Sequence, residues 1–400
     1  MSSGVEARIA LDAAVVLSLG TNRLLGSAGK LTAAGAEALA ALAEGRAEKR
    51  AAALAEIEHQ HQALQQVIDR LARLAVLAEA AERHGATVVL PEALDVQDRT
   101  PEELTAWCDQ ADPLLAEAEQ KISEHIAASV ETQAFAGFAA TPGPHEASVR
   151  QSRPSNAAKA QADPAQADAR PRADAPQNAR ATLVRVVGRL LPDTAEADVR
   201  HVAEAAERLG TARTDDEAES LLSEVRLRVQ QANRRTAERQ AEQARRRAEA
   251  EAAEQAAAER AYVMDAVTTA FADIGYEVEQ GFETLTAQDG TVILTRDGWP
   301  DHAVKLKLDE PETLRAALVR TEEPRSEEDR RRDVEREEEW CAAFEAARRR
   351  LASAGVASDV RWQLDPGEHR LPVAREARQT RKARRERTRQ QEREHGGGGA

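Results

Sequence analysis

The residues best spaced for chemistry lie near the N-terminus, in VVLSLGTNRLLGSAGKLT, Val15 to Thr32. An apolar run leads into glycines and a Gly29-Lys30 pair, the outline of a phosphate-binding loop. Such a loop wraps phosphate in successive backbone N–H groups, sets a lysine on it and brings a Ser or Thr hydroxyl to magnesium. Counted back from Gly29-Lys30, the first glycine should stand where Leu24 is, and Leu31 occupies the place of the hydroxyl. In TVVLPEA, where an acidic residue should end a strand and complete the magnesium site, Pro91 stands instead. The stretch therefore predicts a helix, a glycine-rich turn and a second helix.

Other chemical patterns fail in the same way. Pro300-Asp301 in GWPDHAVKLK has the start of a nuclease site, which needs a second carboxylate two residues before a lysine so that both hold the metal. Ala303 and Lys305 occupy those positions. His59 and His61 stand two apart on a helix, so they point to different faces and cannot share a metal. HEASV at His145 offers Val149 where a zinc site needs its second histidine. Cys108 and Cys341, each beside a tryptophan, read as small buried side chains. No catalytic residue, metal or cofactor is expected.

Binding features stand higher. Leu54, Ile57, Leu64, Ile68 and Leu71, continuing to Ala75 and Ala78, follow alternating three- and four-residue steps, the heptad rule for helices that wrap a partner. Leu222, Val225 and Val229 repeat the pattern up to Ala232. Trp299, in the RDGWPDH turn, serves either as an anchor for a protein partner or as a lid folded over its own domain. The C-terminal tail carries Arg378, Arg381, Lys382, Arg384, Arg385, Arg387 and Arg389, which suit nucleic-acid phosphates or an acidic protein face. The alternative for that tail is a solvated, frayed helix.

The elements that must carry these residues divide the chain into five parts. Residues 1–136 read as an N-terminal helical hairpin or coiled coil, with Gly85 as a cap and TPEE at Thr100 restarting helix through a capping box. Asp112-Pro113 is expected to break that return helix. Residues 137–178, rich in proline and small polar residues, read as a disordered linker. Residues 179–260 read as helices, Asp193 with Glu196 offering a second capping box, leading into a charged helix of roughly 60 residues, about 90 Å long. Residues 261–373 read as a small α+β domain. Within it Asp289-Gly290 signals a hairpin, HAVKLKLD alternates as a strand, TLRAALVR reads as a strand, and Ser326 starts a helix. DVRWQLDPGEHRLPV reads as a closing hairpin, and 374–400 as a basic tail with a glycine-rich end.

The expected fold class is thus mainly α, long coiled-coil-type helices with a small C-terminal module of antiparallel meander plus helices. Composition agrees: aromatics are 3% of residues against 31% charged, enough for thin seams but not a deep core. The net charge of -15 argues against affinity of the whole chain for nucleic acid. Two distant cysteines, no leader and no membrane span point to the cytoplasm. The function expected is a non-catalytic scaffold or adaptor that docks a protein partner through the α+β module. An accessory of nucleic acid acting through the basic tail, and an enzyme with an unfamiliar site in the α+β module, are the alternatives. Self-association along Leu54–Ala78 or Leu222–Ala232 is expected, and light scattering at micromolar concentration reads it.

Overall fold

The computed structural model describes residues 4–27, 29–136, 175–278, 291–309 and 312–374. The Asp289-Gly290 turn, most of the proposed linker and the basic tail lie outside the described residues. The chain is mainly helical with a small α+β module, and it divides into two compact units: residues 1–64 with 250–400, and residues 65–249. The division falls within two long helices, α3 (Ala47–His84) and α7 (Asp215–Ala272).

The first unit is built on a six-stranded sheet with β1 (Gly4–Leu11), β2 (Tyr276–Val278), β3 (Thr291–Arg296), β4 (His302–Asp309), β5 (Thr313–Arg320) and β6 (Val356–Gln363). Their order is β2-β3-β4-β5-β1-β6, with every neighbouring pair antiparallel. β3 to β5 form the meander that the alternation of HAVKLKLD and TLRAALVR predicts. The N-terminal segment is the difference. Residues 4–11, read as part of a helical hairpin, form a strand inserted between β5 and β6. Its period of two explains why: Val5, Ala7 and Ile9 are buried in the core while Glu6 and Arg8 face away and pair with Arg315 and Glu312. DVRWQLDPGEHRLPV is likewise not a hairpin, since β6 pairs with β1, and Val373 bridges in parallel to Arg320.

One face of the sheet carries α8 (Glu327–Ser353) and the end of α7. Phe271, Tyr276, Trp340 and Phe344 meet here, with Phe271 stacked on Trp340 at 5.3 Å between centroids. This cluster gathers four of the chain's eleven aromatics, so a chain poor in them still closes an aromatic core. Ser326 caps α8 through a capping box with Asp329, and Gly355, at φ 71°, turns the chain into β6. Beside this core α1 (Ala13–Leu24) and α2 (Ala33–Ala43) pack on the start of α3 around Leu19, Leu39 and Ile57.

The second unit gathers α4 (Pro101–Phe135), α5 (Ala175–Val187) and α6 (Glu196–Leu209) with parts of α3 and α7. The capping box at Thr100 forms as expected. Asp112-Pro113 does not break α4, which runs straight through it. Pro113 and Asp109 are both exposed, so water can serve the carbonyl that loses its N–H partner. The Asp193–Glu196 box does not form either: α6 starts at Ala195 without a side-chain cap, and Asp193 accepts from Gln240 at 3.0 Å instead.

The Leu222 stripe is covered inside the chain, and the Leu54 stripe is covered in part. Leu222, Val225 and Val229 sit in the second unit's core with Leu115, Ile122 and Leu183. Ile57 and Leu64 are fully shielded, and Leu54, Ile68 and Leu71 are half-buried. Helices of the same chain cover Ile57, Leu222, Val225 and Val229. Replacing Ile122, wholly buried at the centre of the second core, with alanine should lower stability by about 2–5 kcal/mol in urea unfolding followed by circular dichroism.

Candidate functional site

The VVLSLGTNRLLGSAGKLT stretch folds as its sequence suggests, into α1, a turn and α2. Asn22 closes the turn by donating to the Lys30 carbonyl at 2.6 Å, and Thr32 caps α2. His61, half-buried, places Nδ1 3.4 Å from the Thr21 hydroxyl, while His59 is exposed, so the two histidines do part company. Cys108 is buried and Cys341 half-buried, and both are free thiols whose pKa burial pushes up. Neither is an activated nucleophile. Among the described residues no group of three or more His, Cys, Asp or Glu is placed to hold a metal ion. No described helix is long and apolar enough to cross a membrane.

Trp299 folds inward. It is 5% exposed, donates through Nε1 to Glu339 at 2.9 Å and meets Tyr276 edge to face. The guanidinium groups of Arg296 and Arg336 lie over its ring, each 5.7 Å from the centroid. As a partner anchor it is therefore corrected: its large apolar area is already buried, and its one donor is used.

The most concentrated buried chemistry is a His302–Asp333–Arg320 cluster between β4, β5 and α8. His302 and Arg320 are cross-strand partners, and both reach Asp333, His302 through Nε2 at 2.8 Å and Arg320 through an ion pair. A histidine on a carboxylate resembles half of a catalytic triad. Here the carboxylate is shared with a buried arginine, and Trp299 packs against the imidazole. The arrangement ties α8 to the sheet.

A different place offers space. A cleft of about 400 Å³ opens in the first unit where β1 outruns its neighbour. The register with β5 stops at Arg8–Thr313, and Ile9 donates to the Glu312 carbonyl at 2.7 Å. Beyond that point Ile9, Ala10 and Leu11 line the cleft with Val16 of α1. The opposite wall is one stripe of α7, Ala256, Glu259, Arg260 and Val263, at helical spacing. Leu308, Asp309 and Glu312 close the end. The volume falls within the range of ligand pockets, and the lining combines an apolar floor with a few charged groups.

Those charges lean acidic: three carboxylates to one guanidinium. Glu259 accepts from Gln255 at 2.7 Å, Glu312 pairs with Arg8 at 3.0 Å, and Asp309 is held by Lys307 and Arg315. Arg260 is also engaged. None of the cleft residues was expected to form a functional site. The alternation in VEARIAL was the signal that could have revealed β1 and hence its free end.

Of the partner candidates, the structure brings Leu222, Val225 and Val229 into one core and Ile57, with half-buried Leu54 beside it, into another, while Leu64 is buried and Ile68 and Leu71 are half-buried. Arg378, Arg381, Lys382, Arg384, Arg385, Arg387 and Arg389 lie outside the described residues. Comparison with known proteins gives no match to a protein-family model, to a curated protein or to a solved structure.

The buried histidines generate a pH dependence. Burial lowers the pKa of His302; Asp333 and Asp301 oppose that shift and Arg320 adds to it. Burial also lowers His61, with Arg23 adding to it, and His84, where the Thr194 backbone opposes. In each case the unfolded chain binds the proton more readily, near the ordinary value of about 6.5. Stability is therefore full above that pH and is lost as pH falls through it toward the lower folded values. The urea midpoint should drop between about pH 6.5 and pH 5, and less steeply in His302→Gln, if that variant folds with the same spectrum.

Proposed function

We propose that this chain is a non-catalytic scaffold or adaptor that docks a protein partner through its α+β unit. The cleft beside β1 carries the reading. It is an apolar trough along a strand whose neighbour has ended, with carboxylates at its rim. That chemistry suits an extended segment of a partner bearing a lysine or arginine, which would lie beside β1 and set its charge against Glu259 and Glu312. An occupant of this kind uses main-chain hydrogen bonds for affinity and side-chain pockets for choice of partner.

A division into two units, each with its own core, supports the same reading, because an adaptor needs more than one independent surface. Self-association is not needed for it. Ile57, Leu222, Val225 and Val229, from the stripes that suggested a coiled coil between chains, are buried within this one. The interior of the cell is the setting we propose for such a subunit, in keeping with two unpaired thiols.

The test is a pull-down of the full chain from its native host, with and without nuclease, using the wild type and two cleft variants. Ala256→Trp fills the trough from an exposed position on α7, and Glu259→Arg reverses a rim charge. A stoichiometric protein partner should survive nuclease and be recovered about tenfold less by either variant. Recovery that ignores both substitutions, or that collapses on nuclease treatment, would sink the proposal.

A further inference from the structure

We propose that Arg348 guards the outer edge of β6, placed so that a second copy of this chain cannot add its own β6 there. β6 ends the strand order, so among the described residues no strand pairs with its outer side. The bonds around β1 fix which groups that side presents. Asp12 donates to the Gly355 carbonyl at 2.8 Å, whereas Ile9, opposite Ser358, donates away from β6, to the Glu312 carbonyl. In an antiparallel ladder the direction alternates, so Ala357 and Asp359 face β1 while Val356, Ser358 and Val360 turn their N–H and C=O groups outward. Past Val360 the register shifts at a bulge opposite Glu6 and Ala7, which interrupts the outward row.

This edge has the makings of a pairing surface. Val356, Val360 and Trp362 are strand-forming residues, and Trp362 is 44% exposed. A row of outward backbone groups on such a strand is a template for another strand. The three outward residues are symmetric about Ser358, so two copies can pair antiparallel on that residue. Val356 of one copy then stands across from Val360 of the other, and Ala357 across from Asp359, with no like charges directly opposed. The strand that this edge fits is therefore β6 of a second copy.

Arg348 occupies the centre of that register. It reaches from α8 and donates through Nη2 to the Ser358 carbonyl at 2.8 Å and through Nε to the Ser358 hydroxyl at 3.0 Å. Glu345, three residues earlier on α8, accepts from Nη1 at 2.9 Å and holds the guanidinium in place. The capped carbonyl is the acceptor on which a two-fold pairing would be centred. Pairing there would strip it of a charged donor. It would also bring the Arg348 guanidinium groups of both copies together beside the axis, like charge against like charge.

The test compares the full-length wild type with Arg348→Met, which keeps the stem, and Arg348→Lys, which keeps the charge, by sedimentation velocity over a concentration series. Arg348→Met should dimerise at a concentration about tenfold below wild type, while Arg348→Lys stays with wild type. Glu345→Gln, which loosens the guanidinium without removing it, should shift association in the same direction and keeps the test open if Arg348→Met loses its fold. Ser358→Cys, in chains with Cys108→Ala and Cys341→Ala, reports where the copies meet. On mild oxidation it should cross-link copies carrying Arg348→Met, and about tenfold more slowly those that retain Arg348. Association no stronger than wild type in both Arg348→Met and Glu345→Gln, or dimers that Ser358→Cys fails to cross-link, would overturn the proposal.

Discussion

The first unit depends on the pairing of eight N-terminal residues with strands that arrive some three hundred residues later. β1 lies between β5 and β6 and is bonded on both sides. Without it β6 would have no neighbour, and Val5, Ala7 and Ile9 would leave the core they share with Phe271, Leu318 and Phe344. Joining segments so far apart costs more entropy than a local hairpin. Five doublings of loop length, from about 10 residues to about 300, add only ~3 kcal/mol. Burying one valine and one isoleucine side chain returns ~3–6 kcal/mol before any hydrogen bond is counted. Burial wins, and the closure is affordable in a way that its span does not suggest.

The same insertion creates the features to which function is assigned. Because β1 and β5 are offset, each runs past the other at one end. At one end β1 outlasts β5 and leaves the cleft along Ile9–Leu11. At the other, β5 outlasts β1 and leaves the gap that residues 372–374 fill. Both are consequences of register, so the cleft and the gap have one physical origin.

Three acidic side chains of this unit hold elements together. Asp333 serves His302 and Arg320 together, Glu339 serves Trp299 and Arg336, and the Glu337 carboxylate accepts from Gly367 N–H at 2.6 Å. All three acidic residues are on α8, so one helix carries the anchors that lock it to strands and loop. A buried charge left without its partner costs several kcal/mol, which makes the Asp333 and Glu337 contacts specific in register even when their net contribution is small. Tyr276, whose phenol burial pushes up to about 12, stays neutral in the middle of this cluster.

Much of the local structure was legible without coordinates. Caps at Thr100 and Ser326, the long α7, the β3–β5 meander and the helix–turn–helix at Val15–Thr32 all follow from rules that act within a few residues. The failures are of another kind. VEARIAL alternates as plainly as HAVKLKLD, but no strand next to it in sequence gave the alternation a partner. The heptad stripes announced that a helix would cover them, and periodicity says nothing about which helix. Trp299 could be read as a surface anchor or as core, because a turn residue's burial depends on what lies above it; Glu339, Arg296 and Arg336 decided it. The sequence by itself determined most of the long helices, the β3–β5 strands and the apolar faces of these elements, since those are properties of period and cap. Only the tertiary structure decided what each face meets, because contacts between distant segments are chosen by the packing of the whole unit and not by any neighbourhood of the chain.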